Sequence, residues 1–283
     1  GDYASPHYGT IKSSENYERR FIMTFPNETL PKGRKQKTTS LYDRFVNQGA
    51  VMGDSFGLEN VLWFANNKED AHEDPTIKRS RSHDYVSKEV INVRENVGLI
   101  EVANFSKHEF KGPDARKFLD YIMAGRLPKP GRISLSPMLS YRGKLCGDLT
   151  VACLDENEFM VFGSGAAQAM HRRWFESHLD KFNLSYSNRS DEYHGLSLAG
   201  PNSRKVLEKI VRDDVSNEKF KFRDSRRMFV GSVPAIINRI SFTGELGYEI
   251  YVAPHYQLKL YEELMEAGKE FNIKPFGGRA LMS

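Results

Sequence analysis

The chain has 283 residues, 39% of them hydrophobic and 28% charged, with a formal net charge of +4. That balance fits one large or two smaller folded domains with enough apolar side chains for a core. It excludes a membrane-spanning helix, because no run of about 18 apolar residues occurs, and the small charge excess argues against a nucleic-acid partner.

Residues 1–82 read as irregular. A strand is expected within Tyr17 to Phe25, a polar loop over Pro26 to Lys37, and a short amphipathic helix over Leu41 to Gln48. Gly49 to Gly57 is punctuated by glycine, and Trp63-Phe64 forms an apolar anchor. Asn66 to Ser82 is a charged surface excursion. The basic runs Lys32-Gly33-Arg34-Lys35-Gln36-Lys37 and Lys78-Arg79-Ser80-Arg81 fall in these polar stretches. They read as solvated loop charge, with a landing strip for an anionic ligand tail as the alternative.

From Asp84 the pattern turns regular. Asp84 is placed to cap a helix through Val97, with Val86, Val90, Val93 and Val97 on one stripe and Gly98 as its stop. Leu99 to Phe105 and Lys107 to Lys111 read as strands. Gly112-Pro113-Asp114 opens a helix through Met123, with the proline at an early position where its missing N–H is harmless. Ile133 to Tyr141 and Asp148 to Leu154 pair as a hairpin around Arg142-Gly143, followed by a strand over Glu158 to Phe162 and a helix over Ala166 to Phe182.

The layout then recurs. Leu196 to Ala199 is a strand, and Gly200-Pro201-Asn202-Ser203-Arg204-Lys205 repeats the pattern of Gly112-Pro113-Asp114-Ala115-Arg116-Lys117. Strands follow over Ser225 to Ala235, Ile236 to Ser241 and Gly247 to Val252, then a helix over Tyr256 to Phe271. Short turns between paired strands predict an α+β fold of antiparallel sheets with packed helices, made of two similar α/β half-units.

Two acidic motifs carry the chemistry. In Gly147-Asp148-Leu149-Thr150, Asp148 shares a strand face with Thr150 and Ala152. It is either a turn aspartate closing the hairpin or a carboxylate facing a ligand amine. In Ser241-Phe242-Thr243-Gly244-Glu245-Leu246-Gly247-Tyr248-Glu249, Glu249 interrupts an apolar strand. It is either an exposed strand position or a bidentate acceptor for adjacent N–H donors on a planar ring. Glu245 belongs to the turn.

Other motifs are weaker. Gly163-Ser164-Gly165 resembles a phosphate cradle before a helix, but it lacks the dinucleotide spacing and reads by default as a tight turn. No Cys/His set has metal-ligand spacing, so no metal is expected. Cys146 and Cys153 are expected on opposite faces of one strand, unpaired, as reduced thiols of an intracellular compartment.

Val97-Gly98-Leu99-Ile100-Glu101-Val102-Ala103, Pro137-Met138-Leu139, Gly147-Asp148-Leu149-Thr150-Val151, Leu198-Ala199-Gly200-Pro201 and Thr243-Gly244-Glu245-Leu246-Gly247-Tyr248-Glu249 occur in an order and spacing that resembles the folate-binding aminomethyltransferase family, the glycine-cleavage T-protein type. Thr39-Ser40-Leu41-Tyr42-Asp43-Arg44, Gly49-Ala50-Val51-Met52-Gly53 and Trp63-Phe64 resemble the junction of dimethylglycine and sarcosine dehydrogenases. The resemblance implies a junction, residues 1–82, and a T-protein-like folate-binding region, residues 83–283, of a longer polypeptide. Its opening Gly1-Asp2-Tyr3 and closing Arg279-Ala280-Leu281-Met282-Ser283 read as cut ends.

The function implied is tetrahydrofolate-dependent one-carbon transfer. An iminium carbon from an N-methyl amine would be trapped as 5,10-methylenetetrahydrofolate. The partners implied are folate, that iminium and a flavin dehydrogenase domain of the same polypeptide; FAD would belong to that domain alone. By motif position Asp148 is the key catalytic acid, Glu249 holds the pterin N–H donors, and Thr150 is a polar contact. Leu135 and Phe242 fall where the family places aromatic residues around the ring. Arg279 is the nearest substitute for a tail-binding arginine whose place Leu281 takes. The alternatives are a folate-dependent demethylase or methyltransferase relative, and a non-catalytic regulatory subunit. The implied compartment is the cytoplasm, or the mitochondrial matrix in a eukaryote.

Overall fold

The sequence repeat at Gly112-Pro113 and Gly200-Pro201 is matched by a repeat of topology. In the computed structural model, which describes residues 5–283, the chain runs through α1 (Pro6–Glu18), α2 (Tyr42–Asn47), β1 (Ala50–Ser55), β2 (Leu58–Phe64), α3 (Ser82–Glu95) and β3 (Val97–Glu101). The opening Gly1-Asp2-Tyr3 lies outside the described residues. The first unit follows as β4 (Ser106–Lys111), α4 (Ala115–Ile122), β5 (Arg132–Leu139), β6 (Leu145–Asp155), β7 (Glu158–Gly163), α5 (Gln168–Glu176) and β8 (Ser185–Asn188). The second is β9 (His194–Ala199), α6 (Ser203–Ile210), β10 (Ser225–Val230), β11 (Val233–Asn238), β12 (Gly247–Val252), α7 (Gln257–Ala267) and β13 (Ile273–Pro275), before a last short helix, α8 (Gly278–Leu281).

Each unit builds one sheet with the same internal order. The five-stranded sheet is β5-β6-β7-β4-β8, and the six-stranded sheet is β10-β11-β12-β9-β3-β13. In the second, β3 is inserted beside β9, and β13 then pairs with β3 in parallel, the exception in otherwise antiparallel sheets. The expected α+β class of paired half-units is therefore the observed one.

The repeated Gly-Pro has a steric cause. Gly112 and Gly200 have φ of 134° and 128°. A Cβ at Gly200 would lie 2.6 Å from the carbonyl oxygens of Val93 and Asn96. Only glycine combines that backbone with that contact. The helices start later than expected, at Ala115 and Ser203, so each proline precedes the cap rather than entering the helix. Ala115, Phe118, Leu119 and Ile122 then form the buried stripe of α4.

Strand alternation sorts the core into layers. Leu149, Val151 and Cys153 of β6 pack in one cluster with Phe118 of α4 and Phe175 of α5, while Tyr248, Ile250 and Val252 of β12 pack in another with Leu207 of α6 and Leu260 of α7. The opposite faces meet each other: Ile133, Ala152, Met160 and Phe162 of the first sheet join Ile100, Ile236 and Tyr251 of the second. Phe162 stacks on Tyr251 with ring centroids 4.5 Å apart.

The N-terminal part differs from the sequence expectation. The strand expected within Tyr17 to Phe25 is absent, and α1 occupies residues 6–18 instead. Ser5 caps it by accepting from the Tyr8 N–H at 3.1 Å. This helix shows no apolar stripe because polar contacts dock it: Tyr8 bonds Asp54, and Glu15 accepts from the Lys32 N–H at 2.8 Å. Gly49 to Gly57, within the stretch read as irregular, is regular. It contributes β1 to a hairpin with β2, turning at Phe56-Gly57. Leu41, Phe45, Ala50 and Val61 enter the same core cluster as Val97 and Leu198.

Element boundaries also shift. α3 ends at Glu95, and Gly98 lies inside β3 rather than stopping a helix. The inner face of α3 is partly polar: Glu89 accepts from the backbone N–H groups of Phe64 at 2.7 Å and Gly277 at 3.0 Å. α5 and α7 are shorter than expected because single 3₁₀ turns replace their ends. β8 has no counterpart in the sequence reading. The β10–β11 turn falls at Gly231-Ser232, earlier than the expected break at Ala235. Cys146 sits at a register shift opposite Met138 and Leu139, so alternation breaks there. Both cysteines consequently contact the same core cluster, not opposite faces, and both are free thiols.

Among the described residues, no helix is long and apolar enough to cross a membrane. None of their His, Cys, Asp and Glu side chains cluster in threes that could hold a metal.

Candidate functional site

The inner faces of the two sheets part at one end around a cavity of about 390 Å³. β6 supplies Asp148 and Thr150 to its wall because their neighbours Leu149 and Val151 are committed to the helix side. Thr150 is flanked in register by Leu135 of β5 and Phe162 of β7, so the three side chains form a row across the sheet. Asp148 lies one step further along the same face, opposite Pro137.

The second sheet supplies Glu249 from β12, and the segment after β11 supplies Ile240, Ser241 and Phe242. Ser55 from the β1–β2 hairpin closes another side. All five residues singled out in the sequence, Asp148, Thr150, Leu135, Phe242 and Glu249, thus border one space.

Their environments differ. Asp148 is exposed, four residues beyond the Ser140–Lys144 turn, so it does not close that turn. Leu135 and Phe242 are 62% and 63% exposed, which leaves apolar surface open at the rim. Glu249 is only 9% exposed, not an exposed strand position. Its register partners Asn238 and Ser197 are uncharged. Burial pushes its carboxyl up to about 7, against a hydrogen bond from Tyr251 and the charge of Lys107. The Tyr251 hydroxyl donates to Glu249 Oε2 at 2.8 Å, and burial together with that carboxylate holds the phenol well above its ordinary range.

Gly163-Ser164-Gly165 is the turn between β7 and the helix that follows, and it lines the same cavity. A Cβ on Gly165 would lie 2.0 Å from the carbonyl oxygen of Asn104, itself a wall residue. Behind the turn, Ser106 Oγ, His171 Nδ1 and Gln168 Oε1 are buried without protein partners, the pattern that ordered water satisfies. Arg279 is turned elsewhere: it bonds Ser82 Oγ at 2.7 Å and Glu73 at 2.8 Å and is not a wall residue.

Sequence reasoning missed several groups. Phe162 was legible in principle, since the hairpin register places it opposite Thr150. Lys107 was not. Its setting Lys107-His108-Glu109-Phe110-Lys111 alternates like a solvated strand, yet Lys107 is fully buried. Its ammonium donates to the Ala103 carbonyl at 2.8 Å and stands 5.8 Å from the Tyr251 ring centroid. Burial lowers it to about 7 despite the charges of Asp191, Glu101 and Glu249.

In chemical terms the cavity offers apolar walls for a flat ring, one buried carboxylate with an acceptor edge, and one exposed carboxylate across from it. That combination can accommodate a flat, nitrogen-rich heterocycle and steady positive charge beside it.

Comparison with known proteins gives a consistent result. The family profile of the GCVT N-terminal domain matches residues 41–283. The chain is 32% identical to mitochondrial dimethylglycine dehydrogenase of Mus musculus over 284 residues, covering 99% of this chain and 33% of that protein. It is 28% identical to the aminomethyltransferase of Staphylococcus epidermidis (strain ATCC 12228 / FDA PCI 1200) over 244 residues, covering 85% of this chain and 60% of that one. The chain therefore spans about a third of the dehydrogenase's length. Among solved structures, the glycine cleavage system aminomethyltransferase T from Bartonella henselae superposes with a TM-score of 0.71 at 22% identity, covering 87% of this chain and 61% of that one, a likeness of fold.

Proposed function

The chain belongs to the GCVT N-terminal domain family, and from that premise we propose that it is the tetrahydrofolate-binding, one-carbon-transfer region of a dehydrogenase acting on dimethylglycine or sarcosine. The observation carrying this reading is the convergence of Asp148, Thr150, Leu135, Phe242 and Glu249, from two different sheets, on one cavity. Further support comes from the similarity to dimethylglycine dehydrogenase along 99% of the chain.

The donor set fits a reduced pterin. Glu249 offers a buried acceptor for adjacent ring N–H groups, the geometry in which a carboxylate binds strongly. Leu135, Phe162 and Phe242 present apolar surface to the ring, and Thr150 adds a short polar contact. Tetrahydrofolate supplies the nitrogen nucleophiles that take up the one-carbon unit. Asp148, exposed at the mouth, stabilises the cationic iminium carbon as it arrives and accepts the proton released by the attacking nitrogen. Attack by the second nitrogen would then close 5,10-methylenetetrahydrofolate and break the carbon's bond to the amine, which would leave with the proton held by Asp148 while the second nitrogen's proton passes to water.

On this reading residues 1–82 are the junction behind a flavin dehydrogenase domain, and FAD belongs to that domain. The junction contributes Ser55 to the cavity and Leu41 and Phe45 to the core. The compartment proposed is the cytoplasm, or the mitochondrial matrix in a eukaryote.

Anaerobic calorimetry with tetrahydrofolate tests the reading on the full-length protein. Saturable binding near one site per chain, weakened by Asp148→Ala and Glu249→Ala, is the expected result. A folded protein that binds none, or variants with unchanged affinity, would shift the assignment to a regulatory subunit of the same architecture.

A further inference from the structure

Behind Glu249 lie two buried groups that do not border the cavity, one hydrogen-bonded to it and one acting on it through charge alone. Tyr251 shares its strand face, is 1% exposed, and donates its only hydroxyl to Glu249 Oε2. Its ring is clamped against Phe162 of the other sheet, so the hydroxyl has little freedom to turn away. Lys107 reaches the same place from β4. Its ammonium is fully buried, bonds one carbonyl, and stands over the Tyr251 ring. A buried ammonium is costly without a countercharge. Those acting on Lys107 are Asp191, Glu101 and Glu249, with Lys37 opposing them.

β4 brings Lys107, and β6 brings Asp148 to another wall of the shared cavity. β11 and β9 bring neutral Asn238 and Ser197 beside it in register. Lys107 is therefore the cation nearest in effect, and Tyr251 the hydrogen-bond donor.

We propose that Tyr251 and Lys107 are positioning residues for Glu249: the phenol fixes the carboxylate's orientation, and the buried ammonium supplies the countercharge that favours its ionised form at the cavity wall. The consequence for ligand binding rests on the function proposed above. An ionised, immobilised Glu249 presents its free acceptor edge to ring N–H donors without reorganising, whereas a protonated one forfeits part of that edge.

Two readouts on the full-length protein separate this inference from its premise. The first is the titration of Glu249 itself, followed by carboxyl ¹³C NMR in ligand-free protein, assigned with Glu249→Gln. Tyr251→Phe, which keeps the ring stack, is expected to raise the midpoint by about one pH unit or more, and Lys107→Met to raise it by less. The second is tetrahydrofolate affinity between about pH 6 and 9. Both variants are expected to bind roughly tenfold more weakly at neutral pH and to recover toward wild type at the alkaline end. A purely structural role predicts an unmoved midpoint and a loss of affinity that is even across pH, and either result in Tyr251→Phe overturns the proposal. A shifted midpoint in a wild-type background that binds no tetrahydrofolate upholds the positioning role while rejecting the folate reading.

Discussion

Asp148 and Glu249 stand on different sheets and border the same cavity, one exposed and the other almost fully buried. The Asp148 side chain makes no hydrogen bond or ion pair with another described residue, while Glu249 is tied to Tyr251. The pair thus divides into a carboxylate open to solvent and one locked as an acceptor.

That division predicts different kinetic signatures. Asp148→Asn should slow one-carbon transfer roughly 100-fold, weaken tetrahydrofolate affinity by much less than that, and change thermal stability little. Glu249→Gln should weaken binding about tenfold or more, since a hydrogen bond to a charged group is worth about 1.5–3 kcal/mol. Single-turnover rates and calorimetric affinities on both variants distinguish the two roles. Equal effects on rate and affinity in both would contradict them.

Glu89 predicts a pH-dependent stability. Burial pushes its carboxyl up to about 7, opposed by the N–H groups of Gly277 and Phe64. A carboxyl raised on folding contributes stability that is complete below its unfolded value near 4.5 and is lost as pH rises through about 7. Glu89→Gln removes that dependence and also one acceptor. It should therefore be less stable than wild type at about pH 5, with the deficit shrinking toward about pH 8. Chemical denaturation at the two pH values checks this; a constant deficit would contradict the ionisation argument.

Two glycines should respond oppositely to alanine. In Gly165→Ala the new Cβ meets the Asn104 carbonyl at 2.0 Å, so the turn must move. A loss of about 1–3 kcal/mol is expected, together with weaker ligand binding, because both residues line the cavity. Gly9 lies within α1 and a Cβ there meets nothing within 4 Å. Gly9→Ala should stabilise by up to about 1 kcal/mol. Urea midpoints measured side by side decide both.

Phe45 tests whether the segment before residue 82 is integral to the fold. It is 2% exposed and meets Phe64 and Tyr261 edge-on at 5.7 and 5.5 Å. Phe45→Ala should cost about 3–5 kcal/mol and shift one cooperative transition rather than split it. A small early transition, with the main one unmoved, would mark the segment as a separately melting appendage.

Much of the fold was legible because its signals are local. The β5–β6 hairpin, the strands on either side of it and the repeated Gly-Pro starts each follow from spacing within a few residues. α1 escaped because polar contacts to Asp54 and Lys32 replace the apolar stripe that announces a helix. Glu89 escaped because a buried carboxylate inside α3 resembles a surface position until its two backbone donors, one of them 188 residues away, are known. Lys107 escaped for the same reason: its burial depends on a second sheet that its own strand does not encode.

The sequence by itself determined parity. Alternation along β6 puts Asp148 with Thr150, and alternation along β12 puts Glu249 with Tyr251, whatever surrounds them. It also determined the repeat, since the same Gly-Pro turn and helix stripe occur in both halves. Parity does not say which face of a sheet receives helices and which receives another sheet. That choice rests on contacts between residues about a hundred positions apart, Phe162 with Tyr251 among them. Only the tertiary packing turned the two acidic faces toward each other, left a gap where they meet, and buried Glu249 while leaving Asp148 open to water.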